Sequence, residues 1–120
     1  MKKKILYFNM VDFDDLTYER SLMSDDANIE VNIVNGVPDS QFLHYAVDAD
    51  GIAVDYTQIT DEIMDQLPRC QVIVRRGVGF DNIDLAAASR HGICISNVPE
   101  YCQPDVALHT ISLFLSAVRY

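Results

Sequence analysis

The chain has 120 residues, 49% hydrophobic and 22% charged, with 18 acidic side chains against 9 basic ones and a net charge of −9. That length suits one domain with a real core, and the apolar content excludes a disordered chain. The acidity excludes a nucleic-acid or anionic-membrane surface, which needs clustered Lys and Arg. The charge is uneven, residues 1–65 summing to −10 and residues 66–120 to +1.

Short β-branched runs alternate with segments of helical period along the chain. Lys4–Phe8 reads as the first strand; Lys2–Lys4 ahead of it do not make a signal peptide, because Asn9, Asp12, Asp14 and Asp15 end the apolar run too early. Asp15–Met23 is a predicted helix whose leading carboxylates favour a helix start. Glu30–Val34 is the next strand, and Ser40–Val47 a helix with Phe42, Leu43, Ala46 and Val47 on one stripe. After the strand Gly51–Val54, Thr60–Leu67 opens on an N-cap Thr and ends before Pro68. Gln71–Arg75 is the fourth strand, Asp84–Arg90 an Ala-rich helix stopped by His91-Gly92, and Ile93–Ser96 the fifth strand. A long helix from about Pro104 to Arg119 closes the pattern. Such alternation means an α/β fold with a doubly wound parallel sheet of five strands, and continuous apolar runs suit strands covered on both faces.

The last helix is apolar almost all round. Ala107, Ile111, Phe114 and Val118 form one stripe, Leu108 and Leu115 a second, and Val106, Leu113 and Ala117 a third. One sheet covers one side of a helix, so a second partner is expected, either another copy of the chain in a homodimer or polypeptide beyond Tyr120. No C-cap follows Arg119-Tyr120, which also points to a continuation. The 13-residue stretch Val106–Val118, with His109 inside, falls short of the roughly 18 apolar residues of a membrane span. Cys70, Cys94 and Cys102 give neither an even count nor a CxxC spacing, so reduced thiols, no structural metal and a soluble cytoplasmic protein are expected.

In open parallel sheets ligands bind outside the carboxyl ends of the strands. Four such ends are polar or glycine-bearing: Asn9–Asp15, Asp55–Thr57, Arg75–Asn82 and Asn97–Gln103. In the third, a strand runs into Arg75-Arg76-Gly77-Val78-Gly79, which would expose backbone N–H groups, with glycines allowing close approach and positive φ. An adjacent guanidinium adds a bidentate grip, and together they read as a small carboxylate site. The bland alternative is that the glycines merely turn the chain and Arg75 pairs with Asp81 or Asp84. No phosphate-binding G-x-G-x-x-G is present here, since Asn82 stands where the third glycine belongs.

No histidine reads as a general acid or base: His44 as solvated, His91 as a helix cap, and His109 as a buried imidazole on the last helix. A second reading starts from Asp12, Asp14 and Asp15 with Asp55, which imitate the Mg²⁺-binding acids of a phosphoacceptor receiver domain. Such a domain also needs Thr or Ser after strand four and Lys after strand five, where this chain has Arg76-Gly77 and Asn97-Val98.

The second half of the chain resembles a known family. R-x-G-x-G-x-D-N-x-D over Arg75–Asp84, followed by Asn97-Val98-Pro99 and Val106-Ala107-x-His109, resembles the D-isomer-specific 2-hydroxyacid dehydrogenases, chiefly their C-terminal-binding-protein-like and phosphoglycerate-dehydrogenase-like branches. Over residues 1–66 the likeness is only the βα rhythm. The resemblance implies a flavodoxin-like substrate domain over 1–103, and over 104–120 a helix crossing toward a nucleotide-binding domain. It implies that Arg75 with the amides of Gly77, Val78 and Gly79 holds the carboxylate of a 2-hydroxy or 2-keto acid, while Asn97 and Tyr101 border the cleft. Tyr56, Asp55 and Cys102 at the cleft mouth would tune substrate choice. NAD is the implied cofactor of the complete enzyme. The family's NAD fingerprint and its catalytic Arg, Glu and His have no counterpart in these 120 residues, so the chain alone is expected to be inactive. A non-catalytic dinucleotide-sensing role, known in one branch, is the alternative.

Overall fold

The computed structural model describes residues 2–10, 17–23 and 28–119. In chain order they form β1 (Lys3–Phe8), α1 (Thr17–Met23), β2 (Ile29–Val34), a 3₁₀ turn (Asp39–Gln41) running into α2 (Phe42–Ala46), β3 (Gly51–Val54), α3 (Asp61–Met64), β4 (Val72–Arg75), α4 (Leu85–His91), β5 (Cys94–Ser96) and α5 (Gln103–Val118). The strands make one sheet of order β2-β1-β3-β4-β5, and every pairing is parallel. The alternation of the sequence is thus realised as an α/β sheet of five parallel strands followed by a long helix.

The crossovers β2 to β3, β3 to β4 and β4 to β5 all step across the sheet in one direction. Right-handed connections therefore put α2, α3 and α4 on one face. The pleat agrees with this. Leu6 and Phe8, Ile52 and Val54, and Ile73 are buried at alternate positions, together with Phe42 and Ala46 of α2, Met64 of α3, and Ala87 and Ala88 of α4. Phe8 meets Phe42 edge-on with ring centroids 5.1 Å apart. Helix α4 starts where the Asp84 carboxylate accepts the Ala87 N–H and stops at Gly92, whose φ of 68° is open to glycine at little cost.

The opposite face is less well covered than the apolar runs imply. Ile5, Tyr7, Ala53, Val72 and Val74 line a cavity of about 230 Å³ there, with Arg76 at its edge. Helix α5 departs from the sheet altogether, and its large apolar side chains are 56–68% exposed. The molecule is accordingly long, 62 × 33 × 25 Å. No described helix is long and apolar enough to cross a membrane.

At the amino ends of the strands one carboxylate gathers the neighbouring cations. The Asp50 side chain, 7% exposed, pairs with Lys3 Nζ at 3.2 Å and Arg69 Nη2 at 2.7 Å, and accepts the Lys4 backbone N–H at 2.8 Å. That amide, with the two cations, holds the Asp50 carboxyl below the ordinary carboxylate value. Asp61 is likewise lowered, by His91 and then Arg90, which tie α4 to α3. His91 therefore pairs with an acid on the preceding helix, its Nε2 2.9 Å from Asp61 Oδ1, and does not cap α4 as expected. His44 is exposed as expected; His109 is exposed too, because α5 is uncovered.

Two outcomes follow. Ile73→Ala should cost about 2–5 kcal/mol, read as a lower midpoint in urea unfolding with an unchanged slope. Because the folded-state values of Asp50 and Asp61 are depressed, their stabilisation is present above the usual value of 3.8 and is lost as pH falls through the folded values. Asp50→Asn should lower Tm at neutral pH and flatten the acid limb of a Tm-against-pH curve.

Candidate functional site

The Arg75–Asn82 turn leaves the carboxyl end of β4 and is stitched to both neighbouring strand ends. The Arg76 N–H donates to the Val54 carbonyl at 3.0 Å, and Val98 N–H to the Gly77 carbonyl at 3.0 Å. Asn97 Nδ2 reaches the Val78 carbonyl at 2.7 Å. On the other side Asn82 Nδ2 donates to the Thr57 carbonyl at 2.8 Å and, more weakly, to that of Asp55 at 3.4 Å. Backbone bonds between residue 59 and residues 82 and 84 complete the link, the Ile59 N–H to the Asn82 carbonyl and the Asp84 N–H to the Ile59 carbonyl. A turn held this way presents its amides in a fixed direction, which is what recognition of a small anion requires.

Arg75 is placed by three contacts. Its Nε donates to the Asp55 carbonyl at 3.1 Å, its guanidinium lies 5.2 Å from the Tyr56 ring centroid, and its Nη1 occupies the space beside Gly77. A Cβ built on Gly77 would sit 1.5 Å from that nitrogen. Carbonyl, ring and missing side chain thus leave the head group one place to go. Among the described residues its ion pairs include neither Asp81 nor Asp84, so the bland pairing is not what holds it. Among the described residues, the Nε–H is the one of its five donors with a hydrogen-bond acceptor.

The two glycines act differently from expectation. Positive φ occurs at Gly36, Gly92 and Asn9, not at Gly77 or Gly79, so neither is needed for a left-handed turn. The Gly77 N–H is also spent, donating to the Arg75 carbonyl at 2.9 Å. What Gly77 supplies is room for the guanidinium. The Val78 and Gly79 amides donate to no acceptor among the described residues and are the ones open to an anion.

Arg75, Gly79, Tyr56, Gln58, Asp81 and Asn82 line a cavity of about 350 Å³, large enough for a small organic acid. Sequence reasoning placed Arg75 and the Gly77–Gly79 turn together, and the fold adds Asn97 through its bond to Val78. Tyr101 stands apart, 67% exposed in the turn before α5. Sequence reasoning missed Gln58 as a lining residue and held Asp81 and Asn82 only as the tail of the Arg75–Asn82 strand end; the x-D-N-x-D half of the motif was the signal for those two. Asp12, Asp14 and Asp15 of the receiver-like alternative lie outside the described residues. Groups of three or more potential metal ligands do not occur among those that are described.

The family described as "D-isomer specific 2-hydroxyacid dehydrogenase, catalytic domain" matches residues 8–115. This chain belongs to that family. Over 91 residues, 75% of the chain, it is 36% identical to a D-3-phosphoglycerate dehydrogenase of Methanocaldococcus jannaschii. In structure it resembles an NAD⁺-bound 3-phosphoglycerate dehydrogenase of Entamoeba histolytica, with TM-score 0.78 and 26% identity over 95% of the chain. It also resembles a D-lactate dehydrogenase of Aquifex aeolicus complexed with NAD and lactic acid, with TM-score 0.74 and 28% identity over 93% of the chain. The chain spans 17% of the Methanocaldococcus protein and 38% and 33% of the two solved chains. The next helix after the turn, α4, begins with the Asp84 carboxylate accepting the Ala87 N–H.

Gly77→Ala should leave the fold intact, because the clash is with the mobile end of a side chain, but it should evict the guanidinium from its place. The Arg75 Nε–H resonance in a ¹⁵N spectrum should shift toward free arginine while the core amide pattern is unchanged.

Proposed function

We propose that this chain is the N-terminal substrate-domain portion of an NAD-dependent D-2-hydroxyacid dehydrogenase and binds the carboxylate of a 2-hydroxy or 2-keto acid. The observation that supports this best is the placed Arg75 guanidinium in a cavity that it shares with Gly79, whose amide, like that of Val78 before it, donates to no acceptor among the described residues. An incoming carboxylate accepts from both, and the charge-assisted bonds fix its plane. A fixed carboxylate in turn holds C2 of the acid in one position at the cleft, a matter of orientation that lowers the entropy cost of reaction. The hydride chemistry belongs to the part of the enzyme that carries the dinucleotide, and the chain alone has no turnover of its own.

In this reading residues 1–103 are the substrate domain and residues 104–120 the helix that crosses toward the nucleotide-binding domain. Asn97 borders the cleft by holding Val78, and Tyr101 stands at the crossing. The exposed apolar side chains of α5 are the surface through which two copies pair as a homodimer. The three free cysteines fit a reducing, cytoplasmic setting.

Titration of the chain with D-lactate, followed by ¹⁵N–¹H spectra, should move the Val78 and Gly79 amides together. Arg75→Ala should weaken that binding about tenfold or more, the worth of a charged hydrogen bond. Unchanged affinity would remove Arg75 from the site. Sedimentation should show a dimer that Phe114→Glu converts to monomer.

A further inference from the structure

We infer that Asn97 is a positioning residue of this turn: its side chain holds the peptide between Val78 and Gly79 so that the Gly79 N–H, beside that of Val78, faces the Arg75 cavity. The inference rests on the carboxylate reading of the turn. A trans peptide carries its C=O and N–H antiparallel in one plane, and no described peptide is cis, so a held carbonyl also aims the N–H of the following residue. The Gly77 carbonyl accepts the Val98 N–H at 3.0 Å, and the Val78 carbonyl accepts Asn97 Nδ2 at 2.7 Å. Two consecutive carbonyls thus point to the segment that follows β5, and the N–H groups of Val78 and Gly79 are turned the other way. On that side β4 is flanked by β3, and Tyr56 and Gln58, which follow β3, line the cavity together with Gly79 and Arg75.

A side chain is needed for this because strand pairing alone would use up the Gly79 amide. A parallel ladder continued beyond the bond from Val98 to Gly77 has the Gly79 N–H donate to the Val98 carbonyl. No such bond occurs among the described residues. Asn97 supplies a donor to the carbonyl of the same peptide instead, and the N–H is left over. Successive N–H groups of a strand point to opposite sides, whereas two that point one way make an anion-binding concavity. Pro99 assists, since the residue before a proline favours the extended backbone in which the Val98 N–H can reach Gly77. Asn97 does not line the Arg75 cavity. It lies with Phe80, Leu85 and Ile95 in a smaller one of about 140 Å³, so it acts through the peptide and not on the acid.

In the 120-residue chain a scalar coupling across the hydrogen bond should link the Asn97 side-chain ¹⁵N to the Val78 carbonyl ¹³C. Residual dipolar couplings should place the Val78 and Gly79 N–H vectors on the cavity side. Asn97→Asp and Asn97→Ala both remove the donor, the second without adding charge. In each, the Gly79 vector should turn while the Val78 vector, still fixed through Val98, stays, and unchanged couplings in the core show that the variant is folded. D-lactate, followed at the same two amides, should bind about tenfold more weakly, the scale of one hydrogen bond to a charged group. Absence of the coupling in the wild type, a Gly79 vector unmoved in both variants, turning of both vectors, or reorientation with no loss of lactate binding would overturn the inference and leave the carboxylate site standing. Lactate that shifts neither amide of the wild type would overturn the carboxylate reading itself, and the inference with it.

Discussion

The pairing of β3 with β4 is the constraint on which the rest of the structure depends. Its register sets Ile52 against Ile73 and Val54 against Arg75. A slip of one residue would turn Ile73 out of the core and exchange Arg75 for Arg76 at the same strand end. The two arginines are adjacent in sequence yet face different cavities, one polar and one apolar. Burial of Ile73 and Val54, each worth a few kcal/mol when removed from water, therefore also selects which guanidinium lines the polar cavity. Core and site are decided by one alternation.

From that strand end the local chemistry is a matter of directing a long, flexible side chain. A free arginine loses about 2 kcal/mol of rotamer entropy when fixed. Here the cost is met before a ligand arrives, through the Asp55 carbonyl, the Tyr56 ring and the gap beside Gly77. Each comes from a different kind of residue: a backbone group, an aromatic side chain and an absent side chain. That is why a motif spelled with arginine and glycine depends on residues 20 positions earlier in the chain.

Much of this was legible beforehand. The five strands were recoverable because β-branched runs of four to six residues punctuate the chain, and α4 because Asp84 and Gly92 mark both its ends. The R-x-G-x-G-x-D-N-x-D spacing pointed to the turn. What failed was assignment of partners. His91 was read as a cap because it precedes a glycine stop, while its acids, Asp61 and Asp65, sit on a helix distant in sequence. The glycines were read as allowing close approach and positive φ; neither has a positive φ, and the room at Gly77 is taken by the Arg75 guanidinium. The apolar runs suggested a sheet covered on both faces, yet apolarity does not record which neighbour covers a face; the cavity lined by Tyr7, Ala53 and Val74 is open.

By itself the sequence determined the fold class, the order of the elements, the family and the location of the arginine-glycine turn proposed to hold an anion, since these rest on periodicity and local spacing. Only the tertiary structure decided that the Val78 and Gly79 amides are unspent among the described residues while that of Gly77 is not, that the Arg75 guanidinium stacks near Tyr56, and that Asp81 lines the same cavity as Arg75. Those are through-space facts. They arise when parallel pairing brings the ends of β3, β4 and β5 to one edge, and no pattern along the chain encodes the direction in which a side chain then turns.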